Sequence, residues 1–198
     1  MDKVKSAYEM AMERFSQREA VPREEIDRLD YLHSGKTMAA TFLRESGYDL
    51  VTEINKHPEG WRGWISEGAR ETLVNNIQLP IDQLYADICQ RAISGLTAIT
   101  AKSEALEAIL GQLKHLFDYY EQSSAQAYGQ LKEAYRAKIM ESVRKDGNRN
   151  IDEQAIEPER YAGFREEWAK TRLRLNEQYQ NILSEQKNKL RHVLKETG

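Results

Sequence analysis

The sequence predicts an all-α protein in which a helical N-terminal portion packs on a long antiparallel helical hairpin. Gly and Pro are sparse, at 11 and 4 of 198 residues, and 31% of the residues are charged, a composition typical of helical proteins with a large exposed surface. Between residues 106 and 135, apolar side chains recur at alternating steps of four and three, and a second such series runs from 164 to 193. This spacing places apolar side chains on one face of a helix. We therefore expect two long helices whose apolar faces pack on each other.

Both apolar series contain aromatic as well as aliphatic residues. The first consists of Leu106, Leu110, Leu113, Phe117, Tyr120, Leu131 and Tyr135, and the second of Phe164, Trp168, Leu175, Tyr179, Ile182, Leu190 and Val193. Burying one Leu, Ile or Phe contributes about 1.5 to 3 kcal/mol, whereas an ion pair on a helix surface contributes about 0.3 to 0.5 kcal/mol. The apolar faces are therefore expected to dominate the stability of the hairpin.

The N-terminal portion, residues 1–79, is predicted to be built of short helices. Apolar periodicity and helix-terminating residues place them at about 2–19, 22–47, 49–56 and 64–77. Pro22 ends the first helix and suits the first turn of the second, because its missing N–H needs no partner there. The pair Ser34-Gly35 consists of weak helix formers, so a break in the second helix is left open.

Between the last two of these helices, residues 57–64 form the only segment that is dense in both Gly and Trp, and we predict a loop. Trp61, Arg62 and Trp64 are the candidate partner-binding residues, because Trp and Arg are over-represented at binding hot spots. The alternative is that the two Trp side chains anchor the segment to the helical body.

The second portion, residues 80–198, is predicted to be the hairpin. Pro80 begins a helix with Asp82 in its first turn. Whether that helix breaks between Gly95 and Ser103 is left open, since none of the intervening residues forbids its continuation. The turn is placed at about residues 147–157, with Gly147 as a left-handed cap, and the last helix runs from there to about residue 195.

Charge and hydropathy limit the partners of this protein. Lys and Arg number 29 against 32 Asp and Glu, with the two signs matched in each region, so no basic surface is predicted to hold a phosphate backbone. Residues 1–15 interleave charged and apolar side chains, unlike a signal peptide, and no window approaches the roughly 18 apolar residues of a membrane span. We expect a cytoplasmic protein without nucleic-acid binding or membrane insertion.

The residue patterns of the familiar helical enzymes are absent from the sequence. A di-metal bundle needs Glu-x-x-His pairs, and none occurs at His33, His57, His115 or His192. Asp30 with His33 and Glu53 with His57 could each share a helix face, but two ligands per element favour a surface hydrogen bond over a metal. Cys89 lies in a helical pattern and is predicted to be a buried structural thiol. No catalytic residue, cofactor or metal is predicted.

Three short stretches at the two ends of the chain carry a resemblance to known proteins. Residues 5–14 (KSAYEMAMER), the stretch 161–164 (YAGF) and 175–179 (LNEQY) resemble the corresponding stretches of a group of uncharacterised bacterial proteins with a charged helical tail. The resemblance implies a bacterial, cytoplasmic protein, and the group has no assigned activity.

These observations support three hypotheses about function. The long apolar faces favour a non-catalytic interaction or scaffold protein that self-associates through the hairpin as a homo-oligomer. An export or assembly chaperone that shields the amphipathic helix of another protein would use the same physics. A small-molecule-binding protein or enzyme with a site among the N-terminal helices, at His33, Glu53, His57 or Arg62, is the third hypothesis.

Overall fold

The prediction of an all-α protein is confirmed. The computed structural model describes residues 22–145 and 156–196, together with Ser6, Tyr8, Met10 and Met12, and no strand occurs among them. Six α-helices account for most of these residues: α1 (Arg23–Arg44), α2 (Leu50–Asn55), α3 (Glu59–Asn75), α4 (Gln83–Ile99), α5 (Glu104–Lys145) and α6 (Phe164–Glu196), with a 3₁₀ turn at Pro158–Arg160. Within this part of the chain, no helix combines the length and apolarity that a membrane crossing needs.

Two of the sequence predictions concern residues that are largely not described. Most of the predicted helix over residues 2–19 lies outside the described residues, although Tyr8, Met10 and Met12 are helical and exposed. Gly147 and most of the predicted turn also lie outside the described residues, which do not include 146–155.

Helices α1 and α3 pack at backbone contact through two glycines. A β-carbon added to Gly35 would lie 1.9 Å from the carbonyl oxygen of Ile65, and one added to Gly68 would lie 2.1 Å from the carbonyl oxygen of Leu32. Both glycines are buried, and α1 continues through Ser34-Gly35 without a break. Gly35 therefore serves the contact between the helices and does not end α1.

The helix that begins after Pro80 does break. Helix α4 ends at Ile99, Thr100 has an extended backbone, and α5 begins at Glu104. The hydroxyl oxygen of Ser103 accepts a hydrogen bond from the backbone N–H of Leu106 at 3.2 Å, which is the interaction expected of a residue that caps a helix N-terminus. The break lets α4 pack on α1 and α3 while α5 pairs with α6.

Helices α5 and α6 lie antiparallel. The hydroxyl of Tyr120 donates to the side-chain oxygen of Asn176 at 2.8 Å, and the rings of Tyr135 and Phe164 lie 5.2 Å apart, so residue numbers rise along α5 as they fall along α6. The first half of α5 and the second half of α6 share one buried core with α1–α4, to which they contribute Leu106, Ile109, Leu113, Leu116, Leu183, Leu190 and Leu194.

We call this part, residues 22–120 and 179–196, the body. The rest of the hairpin, residues 121–145 and 156–178, is the arm. Its α5 segment is about 38 Å long at 1.5 Å per residue, so the arm extends well beyond the core that holds the body together.

Cationic side chains cap the C-terminal ends of four helices from neighbouring elements. Unpaired carbonyls and the negative end of the helix dipole attract a cation at such a terminus. The four cations are Arg91 at the end of α1, Arg62 at the end of α2, Lys187 at the end of α3 and Arg70 at the end of α6. In each case the contact also links two separate elements of the body.

Replacing Lys187 with methionine tests this arrangement. The Lys187 ammonium group donates to the carbonyl oxygens of Asn75 at 3.1 Å and Ile77 at 2.9 Å, and burial lowers its pKa. The variant leaves both carbonyls without this donor, so we expect the free energy of unfolding to fall by about 1 to 3 kcal/mol. The exposed Lys189 on the same helix is the control, with an expected change for Lys189→Met within about 0.5 kcal/mol. Equal losses of unfolding free energy for Lys187→Met and Lys189→Met, measured by urea denaturation, would contradict a capping role.

Candidate interaction surfaces

The predicted loop over residues 57–64 is wrong, because α3 begins at Glu59 and includes Trp61 and Trp64. Pro58 occupies the N-cap position, and its carbonyl oxygen accepts from the backbone N–H of Trp61 at 3.0 Å. Proline is favourable at a helix start because its fixed φ fits there. Gly60 and Gly63 lie within the helix, where each costs about 1 kcal/mol relative to Ala. Packing of the neighbouring Trp side chains outweighs that local preference.

Trp61 and Trp64 belong to a row of aromatic rings on α1 and α3. The rings of Trp61 and Tyr31 are stacked, with centroids 4.6 Å apart and planes 15° apart. The Trp64 ring lies 5.2 Å from that of Trp61, and His57 meets Tyr31 edge-on at 6.4 Å. All four side chains are half-buried. The row therefore anchors α3 to α1 while it leaves part of each ring at the surface.

Arg62 contacts the backbone at the end of α2. Its Nε donates to the carbonyl oxygen of His57 at 2.7 Å, and one terminal nitrogen donates to the carbonyl oxygen of Asn55 at 2.8 Å. Two of its five donors thus hold the chain that enters α3. A partner-binding role for Trp61, Arg62 and Trp64 stays a prediction, and these contacts give Trp61 and Arg62 structural roles as well.

The titratable residues singled out in the sequence lie on α1 and near the α2–α3 connection. His33 is exposed on α1, and Glu53 forms an ion pair with Lys56 at 2.6 Å. Among the described residues, no three His, Cys, Asp or Glu side chains are grouped as a metal site requires. Cys89 is buried, and burial raises the pKa of its thiol, which disfavours the nucleophilic thiolate.

A recess of about 340 Å³ lies where the C-terminal end of α4 approaches α2 and α3. Its lining consists of Val51, Ile54, Asn55, Ser66 and residues 98–101. None of these residues carries a charge, and none is among those proposed for a small-molecule site. The hydroxyl of Thr100 is buried there without a hydrogen-bond partner among the described residues. The recess thus lacks the convergent ionisable groups of a typical catalytic site.

In the arm, aromatic side chains pack across α5 and α6. The Tyr128 ring lies 5.0 Å from that of Trp168 and 5.8 Å from that of Phe164, in edge-on contacts. This geometry is favourable because the positive edge of one ring meets the negative face of the other. Phe164 is buried, whereas Tyr128, Tyr135 and Trp168 are half-buried.

An ionic contact fixes the 3₁₀ turn to this aromatic cluster. The Glu159 carboxylate pairs with the Lys132 ammonium group at 2.6 Å and accepts from the Tyr128 hydroxyl at 3.2 Å. The hydrogen bond from Lys132 lowers the pKa of Glu159, and the same bond raises the pKa of Lys132. Sequence reasoning missed this contact, because it considered ion pairs only within one helix.

The surface of the arm also carries apolar side chains that the body does not cover. Tyr161 and Leu173 are exposed, as is Tyr119 at the junction with the body. Leu131 is half-buried. We call these four residues, with Tyr128, Tyr135 and Trp168, the arm surface. Its combination of rings and aliphatic chains is typical of helices that contact another helical element.

Comparison with known proteins places the chain in a family. Residues 51–192 match a protein family described as a family of unknown function, DUF6657. The chain belongs to this family. The DUF6657 match begins within α2 and ends in the last turns of α6, so it includes Trp61, Arg62 and Trp64 and both helices of the arm. No curated protein and no solved structure matches the chain. Family membership therefore agrees with the resemblance to uncharacterised proteins and assigns no activity.

Proposed function

We propose that this protein is a non-catalytic helical interaction protein that self-associates through its arm. The observation that carries the proposal is the half-exposed aromatic cluster of the arm. Its described ring contacts and hydrogen bonds join α5, α6 and the 3₁₀ turn to one another. When two helices pack together, each buries only the face that meets the other. The apolar side chains on both flanks of that contact stay open to water.

A second copy of the arm is the occupant that best fits these flanks. Two antiparallel helix pairs can pack into a four-helix bundle, in which apolar flanks of both pairs enter a common core. The near neutrality of the chain, with a formal net charge of -3, imposes little long-range repulsion between copies. The resemblance of the two chain ends to bacterial proteins supports a bacterial, cytoplasmic protein, and we expect it to be a homo-oligomer with coiled-coil-like packing.

The oligomeric state of full-length protein tests the proposal. We expect sedimentation velocity to show a dimer or higher oligomer at concentrations from about 10 to 500 μM, as for a moderate affinity. The double variant Tyr119→Glu/Leu173→Glu introduces charge at two exposed positions of the arm surface, one on α5 at the junction with the body and one on α6. It is expected to be monomeric with an unchanged helix content by circular dichroism, because neither side chain is in the core.

The control is Leu84→Glu on α4, since Leu84 is 64% exposed and Leu173 is 59% exposed. Leu84→Glu makes the same chemical change as Leu173→Glu, but Leu84 lies in the body. We expect the control to associate like the natural protein. A strictly monomeric natural protein at the highest concentration, or equal dissociation by both variants, would contradict self-association through the arm.

A further inference from the structure

A charged groove lies on the body, away from the arm, between α1, α3 and the last turns of α6. It has a volume of about 810 Å³ and is lined by Arg28, Gly63, Trp64, Glu67, Arg70, Glu71, Val74, Arg191, Leu194 and Lys195. Val74 and Leu194 are buried and Trp64 is half-buried, so the floor is apolar. Six charged side chains of the lining surround that floor.

The two carboxylates of the groove already have cationic partners. Glu67 lies 3.5 Å from Arg28, and Glu71 lies 2.8 Å from Lys36, which is on α1 outside the lining. These ion pairs link α1 to α3 along one side of the groove. In the described part of the chain, the three other cations of the lining have no carboxylate within ion-pair distance.

Those cations are Arg70, Arg191 and Lys195. Arg70 donates to the carbonyl oxygen of Leu194 at 3.2 Å, and Arg191 donates to the side-chain oxygen of Asn75 at 2.9 Å. Both acceptors are neutral, and the Arg70 guanidinium group is half-buried. Burial lowers the pKa of Arg70, and the Glu67 carboxylate on the same helix offsets the cost of desolvating the guanidinium group only in part. An anionic ligand in the groove would compensate that charge.

We infer that this groove binds an acidic peptide segment that carries an apolar side chain. The carboxylates of the segment pair with Arg191 and Lys195 and approach Arg70, while the apolar side chain contacts Trp64 and the floor. Arg pairs well with carboxylates because its planar donors match both oxygens. The apolar floor favours a peptide, which supplies an aliphatic side chain together with its carboxylates, over a nucleic acid.

This inference is independent of self-association, because the groove and the arm surface share no residue. The test uses full-length protein and a fluorescein-labelled helical peptide of Glu, Leu and Ala, compared with the same peptide in which each Glu is replaced by Lys. We expect the acidic peptide to bind at micromolar concentrations, with an affinity that falls as salt is added, and the basic peptide not to bind. Fluorescence anisotropy measures both affinities.

Arg191→Glu/Lys195→Glu is expected to weaken binding of the acidic peptide at least about tenfold. The matched control is Arg174→Glu/Lys189→Glu, which reverses two exposed cations of the same helix outside the groove and is expected to change affinity less than about threefold. Lys195→Glu alone keeps the test decisive if the double variant is unstable, because no described side chain holds Lys195.

Four results would overturn the inference. They are unchanged binding by the double or single groove variant, equal loss in the control, binding of the basic peptide as tight as that of the acidic one, and no binding of the acidic peptide up to about 1 mM. Displacement of the acidic peptide by an equimolar single-stranded oligonucleotide would likewise show a general anion-binding surface instead of a peptide groove.

Discussion

Replacing Gly68 with alanine is expected to lower the free energy of unfolding by about 3 kcal/mol or more, the upper end of overpacking costs. The added methyl group would lie 2.1 Å from the carbonyl oxygen of Leu32. That atom belongs to the backbone of α1, so no side-chain rotation relieves the overlap and the two helices must separate. Separation also disturbs Gly35, which makes the reciprocal contact with Ile65 on α3.

Gly111→Ala is the matched control for this variant. Gly111 also lies inside a helix, α5, but nothing lies within 4 Å of a β-carbon added there. Alanine is the better helix former, so we expect Gly111→Ala to stabilise the protein by about 0.5 to 1 kcal/mol. Urea denaturation followed by circular dichroism measures both changes. Stabilisation by both substitutions would contradict the close packing of α1 on α3.

Gly35 and Gly68 show where prediction from the sequence succeeds and where it stops. Apolar periodicity is a local property, and it predicted the all-α class and the approximate position of most described helices. The role of Gly35 is not local, because it depends on the backbone of Ile65, 30 residues further along the chain. The sequence shows a residue that weakens a helix, but it does not show the neighbouring helix that requires it.

The same limit explains the segment that contains Trp61 and Trp64. Gly60 and Gly63 favoured a loop on propensity alone, whereas the stacking of Trp61 on Tyr31 holds this segment in α3.

The groove on the body was not predicted either. Arg70 and Arg191 are 121 positions apart in the sequence and come together only because α6 returns to pack against α3. A local charge count gave no sign of this concentration of cations.

The second large effect is expected for Leu190→Ala, which should lower the free energy of unfolding by about 2 to 5 kcal/mol. Leu190 on α6 is 0% exposed and belongs to the core that α1–α5 share. The substitution removes buried methyl groups and leaves a cavity that the surrounding helices fill only in part. Leu84→Ala on α4 is the control, because Leu84 is 64% exposed and lies outside the arm surface, so its loss is expected to change stability by less than about 0.5 kcal/mol.

The Leu190→Ala variant also tests whether the body and the arm unfold together. Trp168 lies in the arm, and Trp61 and Trp64 lie in the body. In a Trp61→Phe/Trp64→Phe background, tryptophan fluorescence therefore comes from Trp168 and reports on the arm alone. Because α5 and α6 run unbroken from the body into the arm, loss of the body core should remove the support for both helices. We expect Leu190→Ala to move the Trp168 transition and the circular dichroism transition to the same lower urea concentration. A Trp168 transition that stays in place would mean that the arm is held by its own aromatic contacts and does not depend on the shared core.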